Sequence, residues 1–350
     1  MDILLSNVKN LGLSIDGTYC PELPENFPGF TDIPLDVPHL ITWNSHDEHQ
    51  LVSGCIVFFP TESSHISLLW KDGEFHEYPM IEEYSKRALS LYPVQIENRQ
   101  NWEKLTSHIR PELLNKILKD CKSANGSYFH LSNVSTSSYI STVDDRIQTS
   151  SDPKKTKDEI SFTQVDLKYP FPKECPLEER TKFCLRPSLY LAHLFPDWSV
   201  FLGEAQIAFI LFIHGHMYDG LEQWKRMVNL TLKSDIQASA LSSLSLFLEM
   251  LKTQISEFPE DFFEDALLAD NFLKRSLVEF HISVAKADET LRNAEGFDDF
   301  YAAYRNFLRT IKKSFRLDIE KLVASQVEMA DEDPEDEKPV VVEFDEYKGY

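Results

Sequence analysis

His214-Gly215-His216, with Glu204 and Glu222 nearby in sequence, is the arrangement in this chain that comes nearest to a metal site. A catalytic zinc takes three protein ligands and keeps a fourth position open, so the donor side chains must converge. The pattern around this triplet is helical, and residues two apart on a helix face different ways. Histidines at a helix C-terminus are accounted for by the negative end of the helix dipole. No metal ligand set and no cofactor is assigned.

A cysteine nucleophile needs a histidine base and a third group to orient that base. Cys184 and His193 are too far apart along one helix, with Pro187 between them. The chain has no Gly-x-Ser-x-Gly elbow, no Walker loop and no glycine-rich dinucleotide turn, and its 11 glycines do not cluster. Those absences weigh against nucleotide enzymes. They weigh less against hydrolases, whose groups assemble from distant positions. A hydrolase built on the N-terminal half, with His39 or His65 as its histidine, is the alternative of a different class.

The C-terminal stretch carries a different chemistry. The acidic run Asp331-Glu332-Asp333-Pro334-Glu335-Asp336-Glu337 leads into Lys338-Pro339-Val340-Val341-Val342-Glu343-Phe344. Like charges repel and there is little apolar surface to bury, so the first part cannot fold alone. The second part is β-branched and aromatic, which favours an extended strand, and Pro339 stands where a strand tolerates proline. A strand on a solvated spacer pairs with its own sheet or adds to the edge of another protein's sheet. Val340, Val341, Val342 and Phe344 are therefore the expected partner-binding residues. Ser234, before Asp235 at a helix junction, is a helix-capping serine or a phosphorylation site; a phosphate would add about two negative charges and loosen an acidic-to-basic interface.

Composition narrows the partners. With Asp+Glu at 57 against Lys+Arg at 35, the formal charge is −22. Nucleic acids and anionic membranes both need basic surface, so neither is expected as a direct partner, and basic proteins are. No basic, apolar leader is apparent at the N-terminus. The apolar run at 200–213 is broken by Glu204 and Gln206 and reads as a buried helix rather than a span. Five widely spaced cysteines, none in a Cys-x-x-Cys pair, read as reduced thiols of an intracellular protein.

The positioning elements follow from periodicity. Short apolar or alternating runs at 11–15, 39–43, 55–59 and 66–70 read as strands. Asp72-Gly73 between two such runs predicts a hairpin, because this pair supplies positive φ angles. From Ile81 to Lys122 the period is helical, with Ile81, Tyr84, Ala88, Leu91 and Tyr92 on one face and Pro111 opening a second helix. Residues 123–165, rich in Ser, Thr and Asn, read as a linker. Helices are expected at 188–195, 200–216, 219–233, 236–257, 260–268, 271–287 and 297–313, with Ser199 capping the second. Consecutive helices with short turns make an antiparallel bundle or an α-solenoid. Glu204 and Gln206, polar among apolar neighbours, must find hydrogen bonds if buried, since an unpaired polar group costs about 1–3 kcal/mol. Trp224 reads as core, or else as a partner anchor. The fold class is α+β: a β-rich domain with trailing helices at 1–122, the linker, an all-helical domain at 166–325, and an acidic tail with a terminal strand at 326–350.

Gly203-Glu204-x-Gln206-x-Ala208-Phe209, then Tyr218, then Gln223-Trp224-Lys225-Arg226, resembles the Aar-two family of cistron-splicing factors. Phe258-Pro259-Glu260-Asp261-Phe262-Phe263 with Asp270-Asn271-Phe272-Leu273, the tail Pro339-Val340-Val341-Val342-Glu343, and Ile15-Asp16 through Phe30, Ile33-Pro34 and His39 extend the likeness in the same order. The resemblance implies a VHS-like helical domain and a non-enzymatic role in the cytoplasm and nucleus. That role is assembly of the U-five small nuclear ribonucleoprotein. It implies binding to the large core splicing protein of that particle, at its RNase-H-like and Jab/MPN-like domains, and exclusion of an RNA helicase. It also implies that the tail joins the partner's sheet, and it aligns Ser234 with a serine of the family. A generic VHS-like peptide-binding scaffold is the remaining alternative.

Overall fold

The computed structural model describes residues 1–9, 11–20, 23–24, 27–45, 54–60, 65–78, 90–94, 99–132, 160–260 and 272–331. Among the described residues, ten strands build its N-terminal half: β1 (Asp2–Ser6), β2 (Leu11–Ile15), β3 (Thr18–Cys20), β4 (Gly29–Thr31), β5 (His39–Ser45), β6 (Gly54–Phe58), β7 (His65–Lys71), β8 (Glu74–Glu77), β9 (Tyr92–Pro93) and β10 (Phe129–Ser132). They form two five-stranded sheets. One has the order β8-β7-β1-β4-β9, with β1 parallel to β7 and β4 parallel to β9. The other, β10-β6-β5-β2-β3, is antiparallel throughout.

Strand periodicity divides the side chains of the second sheet between two cores. Ile41, Trp43, Ile56 and Phe58 face the first sheet and pack with Ile3, Leu5, Ile66 and Leu68. Leu40, Cys55, Val57, Phe129 and Leu131 face the other way, into a core shared with the helices. Strand β6 is therefore buried on both faces, which explains its unbroken apolar run.

The helices are α1 (Arg99–Thr106), α2 (Pro111–Ile117), α3 (Leu177–Leu185), α4 (Pro187–Leu194), α5 (Trp198–Ile213), α6 (Tyr218–Leu232), α7 (Leu241–Ile255), α8 (Phe272–Leu291), α9 (Phe297–Phe315) and α10 (Ile319–Asp331). From α4 onward they stack in two rows. In one, α4, α6, α8 and α10 touch in succession; in the other, α7 lies against both α5 and α9. The α5–α6 hairpin joins the rows, with Trp224 fully buried and its Nε1 donating to Gln254 Oε1 at 2.9 Å. Trp224 is thus a core residue.

Several expectations need correction. Tyr92 lies exposed in β9 rather than on a helix; residues 79–89, which hold most of that expected face, are outside the described set. The segment 123–165 contains β10 at its start and buried Phe162 and Val165 at its end. Its polar composition hid a strand that needs only Phe129 and Leu131 to face the core. Asp197, not Ser199, caps α5, accepting from Ser199 N at 2.8 Å. Cys184 and His193 stand on two successive helices, α3 and α4, not one. Helix α10 continues to Asp331, past the expected end of the helical domain. The expected helix at 260–268 lies outside the described residues, apart from Glu260.

The Asp72-Gly73 hairpin is present as expected: β7 pairs β8 across it, with φ of 55° and 86° at the two turn residues. Nothing lies within 4 Å of where a Gly73 Cβ would stand, so only backbone strain opposes substitution. Gly73→Val should therefore lower stability by about 1–3 kcal/mol through its left-handed backbone alone. A denaturant titration against wild type measures this, and Asp72→Asn should be close to neutral.

Candidate functional site

The residues that carry the family resemblance form a clamp between the two halves of the molecule. Helix α5 is apolar along almost its whole length, so it is buried on all sides, and two of its buried residues are polar: Glu204 and Gln206. Gln206 turns to the end of α1. Its Oε1 accepts from His108 N at 2.7 Å, and its Nε2 donates to Lys104 O at 2.9 Å. A helix leaves its last four carbonyls without intrahelical partners, and Lys104 is in the last turn of α1. A side chain of the C-terminal half thus completes a helix of the N-terminal half. Gly203 makes the approach possible: a Cβ there would stand 2.5 Å from His108 O and 2.6 Å from a Leu113 methyl.

Glu204 captures the chain at Thr163, close to where the described residues resume at 160. Its carboxylate accepts from Thr163 N at 2.7 Å, Thr163 Oγ1 at 2.8 Å and Gln223 Nε2 at 2.8 Å. Gln223 also donates to Thr163 O at 2.9 Å, so every polar group of Thr163 is held. Burial pushes the Glu204 carboxyl above the usual range, while these hydrogen bonds and Lys116 pull it back. The requirement that Glu204 and Gln206 bond a neighbour was readable from sequence; which neighbour was not.

Near the N-terminus, the resemblance motif residues Asp16 and His39 form a second buried pair. His39 Nδ1 meets Asp16 Oδ2 at 2.6 Å, and Leu40 N donates to Asp16 Oδ1 at 2.9 Å. His39 Nε2 lies 3.0 Å from Pro34 O, a group that can only accept, so that nitrogen carries its hydrogen. Both ring nitrogens are engaged and the ring is 0% exposed. His39 has no free nitrogen with which to serve as a catalytic base, and its role is to fasten the β2–β3 turn to β5. His65 opens β7 on an exposed position.

His214 and His216 both border one cleft, but no third donor joins them among the described residues. His216 is exposed with φ of 53°, ending α5 in the left-handed region. His214 turns inward against Gly17 and Trp102. Among the described residues, no three His, Cys, Asp or Glu side chains are placed to hold a metal. His214 instead lines a cleft of about 190 Å³ between the β2–β3–β5 surface and the end of α5, with Gly12, Ser14, Tyr19, Thr42 and Asn44. Its Nε2 and Asn44 Oδ1 are buried there without a hydrogen-bond partner. Burial, and to a lesser extent His216, lowers the His214 imidazole to about 4.

Ser234 is buried just beyond α6, its hydroxyl donating to Leu230 O at 2.7 Å. It closes a helix C-terminus rather than capping an N-terminus. The strand residues Val340, Val341, Val342 and Phe344 lie outside the described residues.

Residues 162–320 match the family model described as the AAR2 C-terminal repeat region. A Homo sapiens protein named Protein AAR2 homolog is 33% identical over 150 residues, covering 41% of this chain and 33% of that protein. The Mus musculus protein of the same name is 34% identical over 148 residues, covering 41% and 33%. The Caenorhabditis elegans one is 33% identical over 125 residues, covering 35% and 33%. The aligned stretch thus spans about a third of the length of these relatives.

Two outcomes test the site. Gln206→Leu leaves His108 N–H and Lys104 C=O unpaired, so stability should fall by at least about 2 kcal/mol, with faster hydrogen exchange at His108. Glu204→Leu should cost as much, whereas Glu204→Gln, able to keep most of these bonds without a buried charge, should stay within about 1 kcal/mol at pH 7. The second outcome concerns acid. The His214 pKa is depressed on folding, so its contribution is present above about 6.5 and is lost as pH falls toward about 4. That loss should reach about 2 kcal/mol by pH 5. Asp16 and Glu204, whose carboxyl pKa values are raised, act in the opposite sense. Comparing urea midpoints of wild type and His214→Gln at pH 7.5 and 5 isolates the histidine, and the variant should lose less on acidification.

Proposed function

We propose that the chain is an AAR2-family protein and, on that premise, an assembly factor of the U-five small nuclear ribonucleoprotein in pre-mRNA splicing. In this reading it binds the large core splicing protein of the particle, at its RNase-H-like and Jab/MPN-like domains. It acts by occupying surface, and so keeps the RNA helicase from binding early. No bond is made or broken.

The observation that supports this most is the clamp. A protein that works by occlusion benefits from a body whose halves hold one orientation, because ordering mobile parts on binding opposes affinity. Gln206 and Glu204, both fully buried, join α5 to the end of α1 and to the chain at Thr163 through hydrogen bonds to main-chain groups. The charge of −22 suits a basic protein surface and not a phosphate backbone.

The tail supplies the second grip. Fixing backbone costs roughly 1–2 kcal/mol per residue, and each strand hydrogen bond returns only about 0.5–1.5 kcal/mol net. A six-residue strand alone therefore comes out near zero. Tethered to a bound body, it sees an effective concentration of about a millimolar and adds to affinity. Regulation at Ser234 fits the same reading: its buried hydroxyl has no room for a phosphate, so modification would open the α6–α7 junction.

Affinity purification of the tagged full chain with mass spectrometry should recover U-five proteins. In a calorimetric titration with the core splicing protein, deleting residues 338–350 should weaken binding by about 100-fold while leaving the thermal unfolding of the body unchanged. Equal affinity for the two chains would remove the tail from the mechanism, and absence of U-five proteins from the purification would remove the assignment.

A further inference from the structure

Helix α3 carries apolar side chains that the chain itself does not cover. None of its nine residues is buried. Leu177 and Leu185 are 78% and 76% exposed, and Thr181, midway between them, is exposed as well. Spaced four residues apart, these three fall along one side of the helix. The other side is tied down. Half-buried Phe183 packs against the helical core. Arg180 stacks over Phe171 at 5.0 Å while its Nε donates to Cys175 O at 3.0 Å. Tyr169, 53% exposed, lies edge-on to Phe171 and continues the apolar surface beyond Arg180. The stripe is therefore held outward before anything binds it. Residues 166–186 also carry five Lys and Arg against four Asp and Glu, in a chain whose formal charge is −22.

We infer that α3 is a self-association surface, against which a second copy of this chain packs its own α3 antiparallel, about a two-fold axis at Thr181. The pattern is its own complement, as a two-fold contact requires. Leu177 and Leu185 stand equally far from Thr181, so antiparallel pairing sets Leu177 of one copy on Leu185 of the other, twice over. The charges on the flank obey the same symmetry. Glu178 precedes Thr181 and Lys182 follows it, so each glutamate comes within about 3 Å, measured along the axis, of a lysine of the second copy. Neither residue is in an ion pair among the described residues, so both are available. Charge also selects the face. Two chains of −22 repel over most of their surface, whereas α3 and its lead-in are near neutral, so approach is least opposed there. A basic partner protein is drawn instead to the acidic remainder. One short helix from each copy buries less than the roughly 1,200 Å² of a standard interface, so the dimer is a weak one, with a dissociation constant on the order of 0.1 mM. The contact uses no residue of the clamp and stands independently of the splicing assignment.

Sedimentation equilibrium of the full chain, at concentrations up to about 0.5 mM, reads the association. The expected result is a monomer–dimer equilibrium that weakens at least about tenfold in Leu177→Glu/Leu185→Glu. Circular dichroism of that variant should be unchanged, because both side chains are exposed. Exchanging charges tests the register. Glu178→Lys alone and Lys182→Glu alone should each dimerise several-fold more weakly than wild type, since like charges then meet across the axis. An equimolar mixture of those two variants should recover wild-type association as a heterodimer. Recovery in the mixture cannot arise within one chain, so it separates contact between copies from the stability of α3 itself. A chain that stays monomeric at about 0.5 mM would overturn the proposal. So would a dimer untouched by the leucine variant, or a mixture that associates no better than its components. Weakened binding of the core splicing protein by the leucine variant, with the parent chain monomeric, would reassign the stripe to that partner.

Discussion

A carboxamide buried in an apolar helix holds this molecule together. Gln206 satisfies one donor and one acceptor of the chain's main chain about a hundred residues away. If the halves separated, the side chain would need water in the middle of a helix that is apolar along almost its whole length. The cost of leaving those groups unpaired converts one side chain into a lock on domain orientation. Glu204 does the same for the chain at Thr163. Apolar contact between sheet, α1, α2 and α5 supplies most of the burial, but apolar surfaces slide. Hydrogen bonds to fixed main-chain atoms do not.

The same logic explains where the glycines and aromatic rings sit. Gly203 lets α5 approach His108, and Gly220 on α6 lies where a Cβ would be 2.6 Å from Ala208 O. Close helix contact then buries Trp224 beside Phe209 and Phe258. The motif that carries the family likeness is thus a packing device: Glu204, Gln206 and Gln223 are buried and bonded within the chain itself.

Much of the fold was legible. Six of the helical segments and four strand runs could be read because each carries an uninterrupted apolar period, and the Asp72-Gly73 turn states its own backbone angles. Asp16-Gly17 forms an equivalent turn, with φ of 52° and 77°, between β2 and β3. Its signal was equally plain, but β3 is only Thr18–Cys20 and has no apolar run to draw attention to it. Strands β4, β9 and β10 escaped for the same reason: two to four residues of pairing carry no period. The clamp was half legible. Buried polar residues on an apolar helix demand partners, but partners that are main-chain atoms leave no trace in side-chain identity.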